Sequence, residues 1–188
     1  MKKRLTITVI VFLVAASLSW ADDFPIQFSS IDTELKNDYA VNALGDYYVT
    51  GLGLGVQAGF DITPIENLGF FGAIDYNYGI SKTIWVDSFQ DISLIAGISY
   101  MLKPDGPVAF VPEIGYGICV HLLPGDIDRD GTDSTSFYFD QMLTLSIKGI
   151  YTFNEVLSVY ISPEVKFYLE SGSSAILAGY DLGARINL

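Results

Sequence analysis

The segment 47–62 alternates along its whole length between large apolar side chains and small or polar ones. Its even positions are Tyr48, Thr50, Leu52, Leu54, Val56, Ala58, Phe60 and Ile62, and half of its odd positions are glycine. A period of two is typical of a β-strand with one apolar face and one different face. The same alternation recurs in the segments 68–80, 90–103, 107–120, 137–152, 156–169 and 175–188. Strands in tandem, with short turns at every second junction, predict a closed barrel.

An eighth strand is required, because bacterial single-chain membrane barrels have an even number of strands. The short alternation of Phe24, Ile26 and Phe28 places it near 24–34. Tight turns are predicted at 63–67, 103–107 and 152–156, and longer polar loops at 36–46, 81–89, 121–136 and 170–174. Short turns on the periplasmic rim and long loops on the outer rim are typical of outer-membrane barrels. The predicted fold is all-β, an antiparallel up-and-down eight-stranded transmembrane β-barrel.

Two kinds of barrel fit the alternation, and they differ in the face that points outward. A soluble, lipocalin-like binding barrel points its apolar side chains inward, whereas a membrane barrel points them at lipid. The interior of an eight-stranded barrel is only just wide enough for side chains to fill, so the glycine-rich face fits inside and the large apolar face does not. We therefore predict a lipid-facing apolar exterior with aromatic side chains near both interfaces.

The first 21 residues are predicted to be a cleaved signal peptide. They combine a positive start at Lys2, Lys3 and Arg4 with the apolar run 5–18 and a small-x-small cleavage site. The apolar run is too short for a membrane-spanning anchor helix. The predicted domains are the signal peptide 1–21 and an outer-membrane β-barrel domain 22–188, which predicts export to the outer membrane of a diderm bacterium.

The chain is strongly acidic, with 22 acidic residues against 10 basic ones and a formal net charge of −12. Cleavage of 1–21 would remove three basic residues and no acidic one. This balance argues against binding of nucleic acid or anionic lipid through a basic patch. The single cysteine, Cys119, excludes an intramolecular disulfide, so closure of the barrel is the expected source of stability.

The glycine-alternating segment 51–55 and the C-terminal residues 181–188 resemble small eight-stranded outer-membrane barrels, the family typified by the OmpA transmembrane domain and OmpX. The C-terminus matches the family's assembly signal of polar-x-Gly-x-x-hydrophobic-x-hydrophobic through Asp181, Gly183, Ile186 and Leu188. Leucine stands at the last position, where phenylalanine is usual. The resemblance implies that outer-membrane lipid surrounds the barrel and that the barrel-assembly machinery reads this strand during insertion.

Seven charged residues are predicted to face the lumen, namely Asp75, Glu113, Lys148, Glu164, Lys166, Asp181 and Arg185. A charge buried alone in so narrow a space is costly, so we expect opposite charges to pair, for example Lys166 with Asp140 or Glu164. Such a network would either plug and stabilise the barrel or line a narrow polar pore. A channel for small hydrophobic molecules, as in OmpW-like barrels, would want an apolar lumen, which the pattern disfavours.

The loop at 126–133 carries the sharpest local motif. Asp126, Asp128 and Asp130, followed by Gly131, match the start of a calcium-binding loop. The twelfth position would be Phe137 in place of glutamate, so a solvated acidic loop is the alternative. A Ca²⁺ ion in this loop is the only cofactor that the sequence suggests.

The only histidine, His121, is predicted at the rim of the barrel. Its spacing to Ser134 or Ser136 leaves a Ser–His pair open, but the His-x-Ser motif of lipid A-modifying barrels is absent from the sequence. We therefore expect no enzyme, and we expect Cys119 to be a small lumen filler. The predicted role is structural or surface interaction, in which acidic outer loops contact an extracellular ligand or a host component. The alternatives are a narrow channel for small solutes and the soluble lipocalin-like barrel.

Overall fold

The computed structural model describes residues 26–42, 49–62, 65–81, 88–103, 106–125, 134–170 and 173–188. The predicted signal peptide and the predicted calcium ligands Asp126, Asp128 and Asp130 lie outside these residues. Within the described part of the chain, no helix is long and apolar enough to cross a membrane.

Eight antiparallel strands close into one barrel in chain order, because each strand pairs with the next and the last pairs with the first. They are β1 (Ile26–Asn42), β2 (Val49–Ile62), β3 (Leu68–Ser81), β4 (Ser88–Tyr100), β5 (Val108–Gly125), β6 (Ser134–Thr152), β7 (Leu157–Glu170) and β8 (Ser173–Asn187). The predicted fold class is confirmed. Closure leaves no strand edge unpaired, which is what the backbone requires in a hydrocarbon environment.

The first strand is much longer than the sequence pattern predicts. The pattern places a strand near 24–34 and a loop at 36–46, whereas β1 continues to Asn42 and pairs there with Ile176 of β8. The predicted loop is therefore wrong over most of its length. The outward face of β1 beyond residue 34 includes the polar Asn37, so the apolar half of the alternation is interrupted there.

The hairpin of β5 and β6 also extends beyond its predicted ends. The sequence predicts a loop at 121–136, but the two strands remain paired up to Gly125 and Ser134. Only 126–133 lies between them. The third predicted strand, 90–103, is shorter in the structure: β4 ends at Tyr100, and a single bridge joins Leu102 to Phe110.

The apolar face of the barrel points outward. Leu52, Leu54 and Val56 are 69%, 60% and 54% exposed, while the alternate positions Gly55 and Gln57 are buried. Exposed large apolar side chains of this kind occur on all eight strands. A continuous apolar exterior is far larger than the patches that water-soluble monomers tolerate and matches the outer surface of a membrane barrel. This orientation excludes the lipocalin-like alternative.

Aromatic side chains stand at both ends of the apolar exterior. Near the tight turns, the exposed aromatic residues include Phe70, Tyr100, Phe110 and Tyr151. Toward the long loops they include Tyr78, Phe137 and Phe139. Aromatic rings favour the two lipid–water interfaces, so their positions mark the height at which lipid would surround the barrel.

A charge placed in the middle of this exterior should destabilise the barrel. We expect Leu54→Arg to lower the free energy of unfolding by about 2–4 kcal/mol, because the guanidinium would face hydrocarbon near the bilayer midplane. The matched control is Ile65→Arg, since Ile65 is exposed in a tight turn, and its cost should be close to zero. Urea unfolding in lipid vesicles measures both values. Equal costs for the two variants would contradict the lipid-facing assignment.

Candidate functional site: the charged lumen

The lumen is divided into a charged part and an apolar part. The charged part is built mainly from β1, β7 and β8 with contributions from β3, β5 and β6. The apolar part consists of two buried clusters, of which the main members are Phe71, Ile95, Cys119, Met142, Val111 and Ile150. Sequence reasoning missed most of these apolar residues. Several of them stand next to another apolar residue, as Phe71 follows Phe70. In such a pair of apolar residues the sequence does not show which side chain points inward.

The structure places all seven predicted lumen charges inside the barrel, where each is buried. It adds four more from the part of β1 that the sequence pattern only partly covers, namely Asp32, Glu34, Lys36 and Asp38. A sequence signal for them exists, because a charge stands at every second position from 32 to 38. Each of these side chains would be costly to bury alone, so their partners decide what the site does.

Lys36 is the centre of the upper part of the network, which is the part nearer the long loops. Its ammonium Nζ lies within 3.4 Å of four carboxylates on four strands. The distances are 2.7 Å to Glu34 Oε1, 3.1 Å to Asp181 Oδ2, 3.3 Å to Glu164 Oε2 and 3.4 Å to Asp75 Oδ2. One cation thus holds β1, β3, β7 and β8 together around the axis.

Asp32 is the centre of the lower part. Its two oxygens accept hydrogen bonds from Arg185, from Nε at 2.7 Å and from the second guanidinium nitrogen at 2.8 Å. The same carboxylate accepts a hydrogen bond from Lys148 Nζ at 2.8 Å. A bidentate contact of this kind fixes the orientation of both groups, so Asp32 joins β1 to β8 and, across the lumen, to β6.

Glu113 completes a second connection across the lumen. Its Oε1 lies 3.4 Å from Lys148 Nζ and accepts a hydrogen bond at 3.0 Å from Gln57 Nε2. Because Gln57 is on β2 and Glu113 is on β5, this bond joins walls that are not neighbours in the sheet. The lumen is therefore crossed by side chains at this height.

Lys166 pairs with Asp38 at 2.7 Å and with Glu164 at 3.4 Å. Glu164 is one of the two partners that the sequence suggests. The other suggested partner, Asp140, has its Oδ2 3.0 Å from His121 Nε2. The sequence did not predict Asp38 as a partner of Lys166, because Asp38 lies in the segment predicted as a loop.

Glycines on the inward face make room for this network. A Cβ on Gly55 would lie 2.6 Å from Glu34 Oε1 and 2.7 Å from Asp75 Oδ1. A Cβ on Gly183 would overlap the ring of Tyr160, whose hydroxyl donates a hydrogen bond of 2.8 Å to Glu34 Oε2. The glycine alternation and the buried charges therefore depend on one another.

A cavity of about 660 Å³ lies on the turn side of the network. Gln57, Glu113 and Arg185 line it, together with Glu66 and Lys103 near the turns. It thus extends between the lower charges of the network and the turn end of the barrel.

His121 is held between two carboxylates. Its Nδ1 lies 2.7 Å from Asp91 Oδ1 and its Nε2 lies 3.0 Å from Asp140 Oδ2. The side chains of Ser134 and Ser136, the serines that spacing left open as partners, lie outside the described residues. Both ring nitrogens of His121 thus have an acidic neighbour.

The comparisons with known proteins show the fold of small outer-membrane barrels. No protein-family model and no curated protein matches the chain. Among solved structures, Neisserial surface protein A has a TM-score of 0.67 at 16% identity, covering 87% of this chain and 99% of its own. The outer-membrane protein OprG from Pseudomonas aeruginosa has a TM-score of 0.59 at 9% identity, with 88% and 98% covered. Ail, the attachment invasion locus protein of Yersinia pestis, has a TM-score of 0.52 at 11% identity, covering 88% of this chain and 99% of its own.

Loss of the lower centre should destabilise the barrel strongly. We expect Asp32→Asn to lower the free energy of unfolding by about 3–5 kcal/mol, because Arg185 and Lys148 would keep their buried charges without their shared partner. The matched control is Asp61→Asn, since Asp61 is an exposed carboxylate at the end of β2, and a change within about 0.5 kcal/mol is expected there. Denaturant titration of the refolded barrel measures both. A loss of the same size in the control would show that Asp32 has no special role.

Proposed function

We propose that this protein is an integral outer-membrane barrel of a diderm bacterium, with a lumen plugged by its charge network and a non-enzymatic role at the outer surface. The signal peptide 1–21 would direct its export. The apolar exterior with aromatic residues at both ends supports the membrane location, and the neighbours of similar fold named as surface or outer-membrane proteins agree with it.

The observation that carries the plug is the pair of connections across the lumen. Lys148 of β6 reaches Asp32 of β1, and Gln57 of β2 reaches Glu113 of β5. Both bonds involve buried groups, so a solute that passed along the axis would have to break them. Removal of one partner leaves an uncompensated buried charge, which makes opening unfavourable.

The C-terminal strand, β8, is also proposed to carry the signal that the barrel-assembly machinery recognises. Ile186 and Leu188 are exposed on the outer face at 45% and 68%, where a partner protein can reach them. Asp181 and Arg185 of the same strand point into the network. The outer face of β8 is thus available for recognition, while its inner face belongs to the plug.

A narrow channel is the second candidate. The cavity of about 660 Å³ on the turn side supports it, because this space already reaches Glu113 and Arg185 near the middle of the barrel. Only the network would separate it from the loop side.

Planar-bilayer conductance distinguishes the two candidates. We expect the purified wild-type barrel to be silent, because the cross-lumen bonds close the axis. The double variant Lys148→Ala, Glu113→Ala should show ion-conducting openings, since it removes one partner from each of the two crossing connections and enlarges the turn-side cavity. The matched control removes a lysine and a glutamate near the turns, Lys103→Ala with Glu155→Ala, and should stay silent. Steady conductance of the wild type, altered by the first variant only, would support the channel and refute the plug.

The acidic loop between β5 and β6 is the proposed interaction surface. It carries four aspartates and one arginine within 126–133. Ail has been crystallised with the heparin analogue sucrose octasulfate, a polyanion. A polyanion would be repelled by this acidic loop, so for this protein we propose a cationic ligand, either a basic protein surface or a divalent cation such as Ca²⁺.

Replacement of 126–133 by a Gly/Ser linker of equal length tests this surface. The exchange leaves the strand ends Gly125 and Ser134 in place, so the barrel should fold normally. We expect cells that display the wild type to bind immobilised poly-lysine and cells with the linker to lose that binding. A variant with all four aspartates changed to asparagine separates charge from loop shape, and it should lose binding as well. Equal binding by all three forms would rule the loop out.

A further inference from the structure

A group of potential metal-binding side chains lies outside the charge network, at the loop side of the lumen. Asp91, Cys119 and His121 bring a carboxylate oxygen, a sulfur and a ring nitrogen within 4.8 Å of one another. Cys119 is fully buried, and Asp91 is only 3% exposed. The proposed surface role uses none of these three groups.

The sheet register fixes the arrangement. Asp91 of β4 is the direct partner of His121 on β5, and Cys119 lies two residues before His121 on the same inward face. Cys119 is in turn the direct partner of Asp140 on β6. Three adjacent strands therefore present four potential ligand or ligand-orienting side chains to one small volume.

We propose that Asp91, Cys119 and His121 form a binding site for a borderline divalent transition-metal ion, of which Zn²⁺ and Co²⁺ are the probes, with Asp140 as the group that orients His121. Thiolate and imidazole ligands select such ions over Ca²⁺ and Mg²⁺, which prefer oxygen. Binding would release two protons to solvent, the thiol proton of Cys119 and the proton that His121 Nδ1 shares with Asp91, since the thiolate and the unprotonated ring nitrogen are the ligands.

The distances suit a shared ion. Cys119 Sγ lies 3.8 Å from His121 Nδ1, and ligands at tetrahedral zinc, with bonds of about 2.3 Å to sulfur and about 2.0 Å to nitrogen, stand about 3.5 Å apart. Asp91 Oδ1 is 2.7 Å from the same nitrogen, so this pair would open by about 0.6 Å to admit the ion at a normal bond length. A terminal carboxylate rotation supplies a movement of that size.

Two further observations point to a metal. Metal-bound histidines commonly donate their other ring N–H to a carboxylate, which holds the ring in place, and Asp140 Oδ2 stands 3.0 Å from His121 Nε2. Tyr168, which is 2% exposed, packs its ring against His121 and belongs to the same buried cluster as Cys119. Its hydroxyl is a buried polar group with no hydrogen-bond partner among the described residues.

Zn²⁺ alone, titrated against a chromophoric chelator, tests the site in the purified barrel folded in detergent. We expect one equivalent to bind. Asp140→Asn should weaken binding by about 10- to 100-fold, and Cys119→Ser or His121→Gln should weaken it further. The control variant Asp126→Asn, Asp128→Asn, Asp130→Asn removes the candidate cation ligands of the loop and should bind Zn²⁺ at Cys119 and His121 as the wild type does. Unchanged affinity in Cys119→Ser, or loss of binding only in the loop control, overturns the proposal.

Co²⁺ gives a readout that does not depend on any variant folding. A cobalt-bound thiolate produces a charge-transfer absorption in the near ultraviolet, and we expect it in the wild type at one equivalent of Co²⁺. A heat-modifiability gel confirms that the barrel is closed in the same sample. Absence of this band from the folded wild type overturns the proposal, because His121 would then be only an ion-pair partner of its two carboxylates.

Discussion

The narrow space around the axis of an eight-stranded barrel is the constraint on which the rest of this structure depends. Side chains alone fill such an interior, so each inward residue is limited by what faces it. Gly55 has no side chain because Glu34 and Asp75 occupy the space beside it, and Gly183 leaves room for the ring of Tyr160. The glycine alternation is therefore a consequence of the large and charged side chains that the lumen contains. The outward face has no such limit, which is why the large apolar residues collect there.

The same constraint explains why the charges form one connected network. The ion pairs contain four cations, Lys36, Lys148, Lys166 and Arg185, against seven carboxylates. Because the carboxylates outnumber the cations, each lysine is shared by two or more carboxylates, and Lys36 is shared by four. A shared cation fixes the arrangement of the network. The cost is that loss of one member leaves its partners buried without a compensating charge. β1 supplies Asp32 and Lys36, the centres of both halves, so the strand that closes the barrel also completes the network.

Alternation in the sequence was enough to predict the barrel, its orientation and seven of its eight strands. It could not give the length of β1, because the polar Asn37 interrupts the apolar half of the pattern. It also missed Ser134 as a strand residue, since polar side chains outside the membrane need not alternate. The seven predicted lumen charges are all buried, yet of their pairings only that of Lys166 with Glu164 was predicted. Gln57 and Glu113, for example, meet across the barrel from strands that are far apart in the sheet, and no local spacing encodes that contact.

The two parts of the lumen differ in what each can bind. In the charged part, lysines and an arginine already occupy the spaces between carboxylates, so an added cation would have to displace a neighbouring charge. In the apolar part, Met142 and Tyr168 surround Cys119 and leave few competing charges near it. His121 lies between Asp91 and Asp140, and it is also the residue whose ring nitrogen a metal ion would take. In the proposed arrangement the barrel keeps its charge network intact and still holds a borderline metal ion, because the two tasks use different side chains.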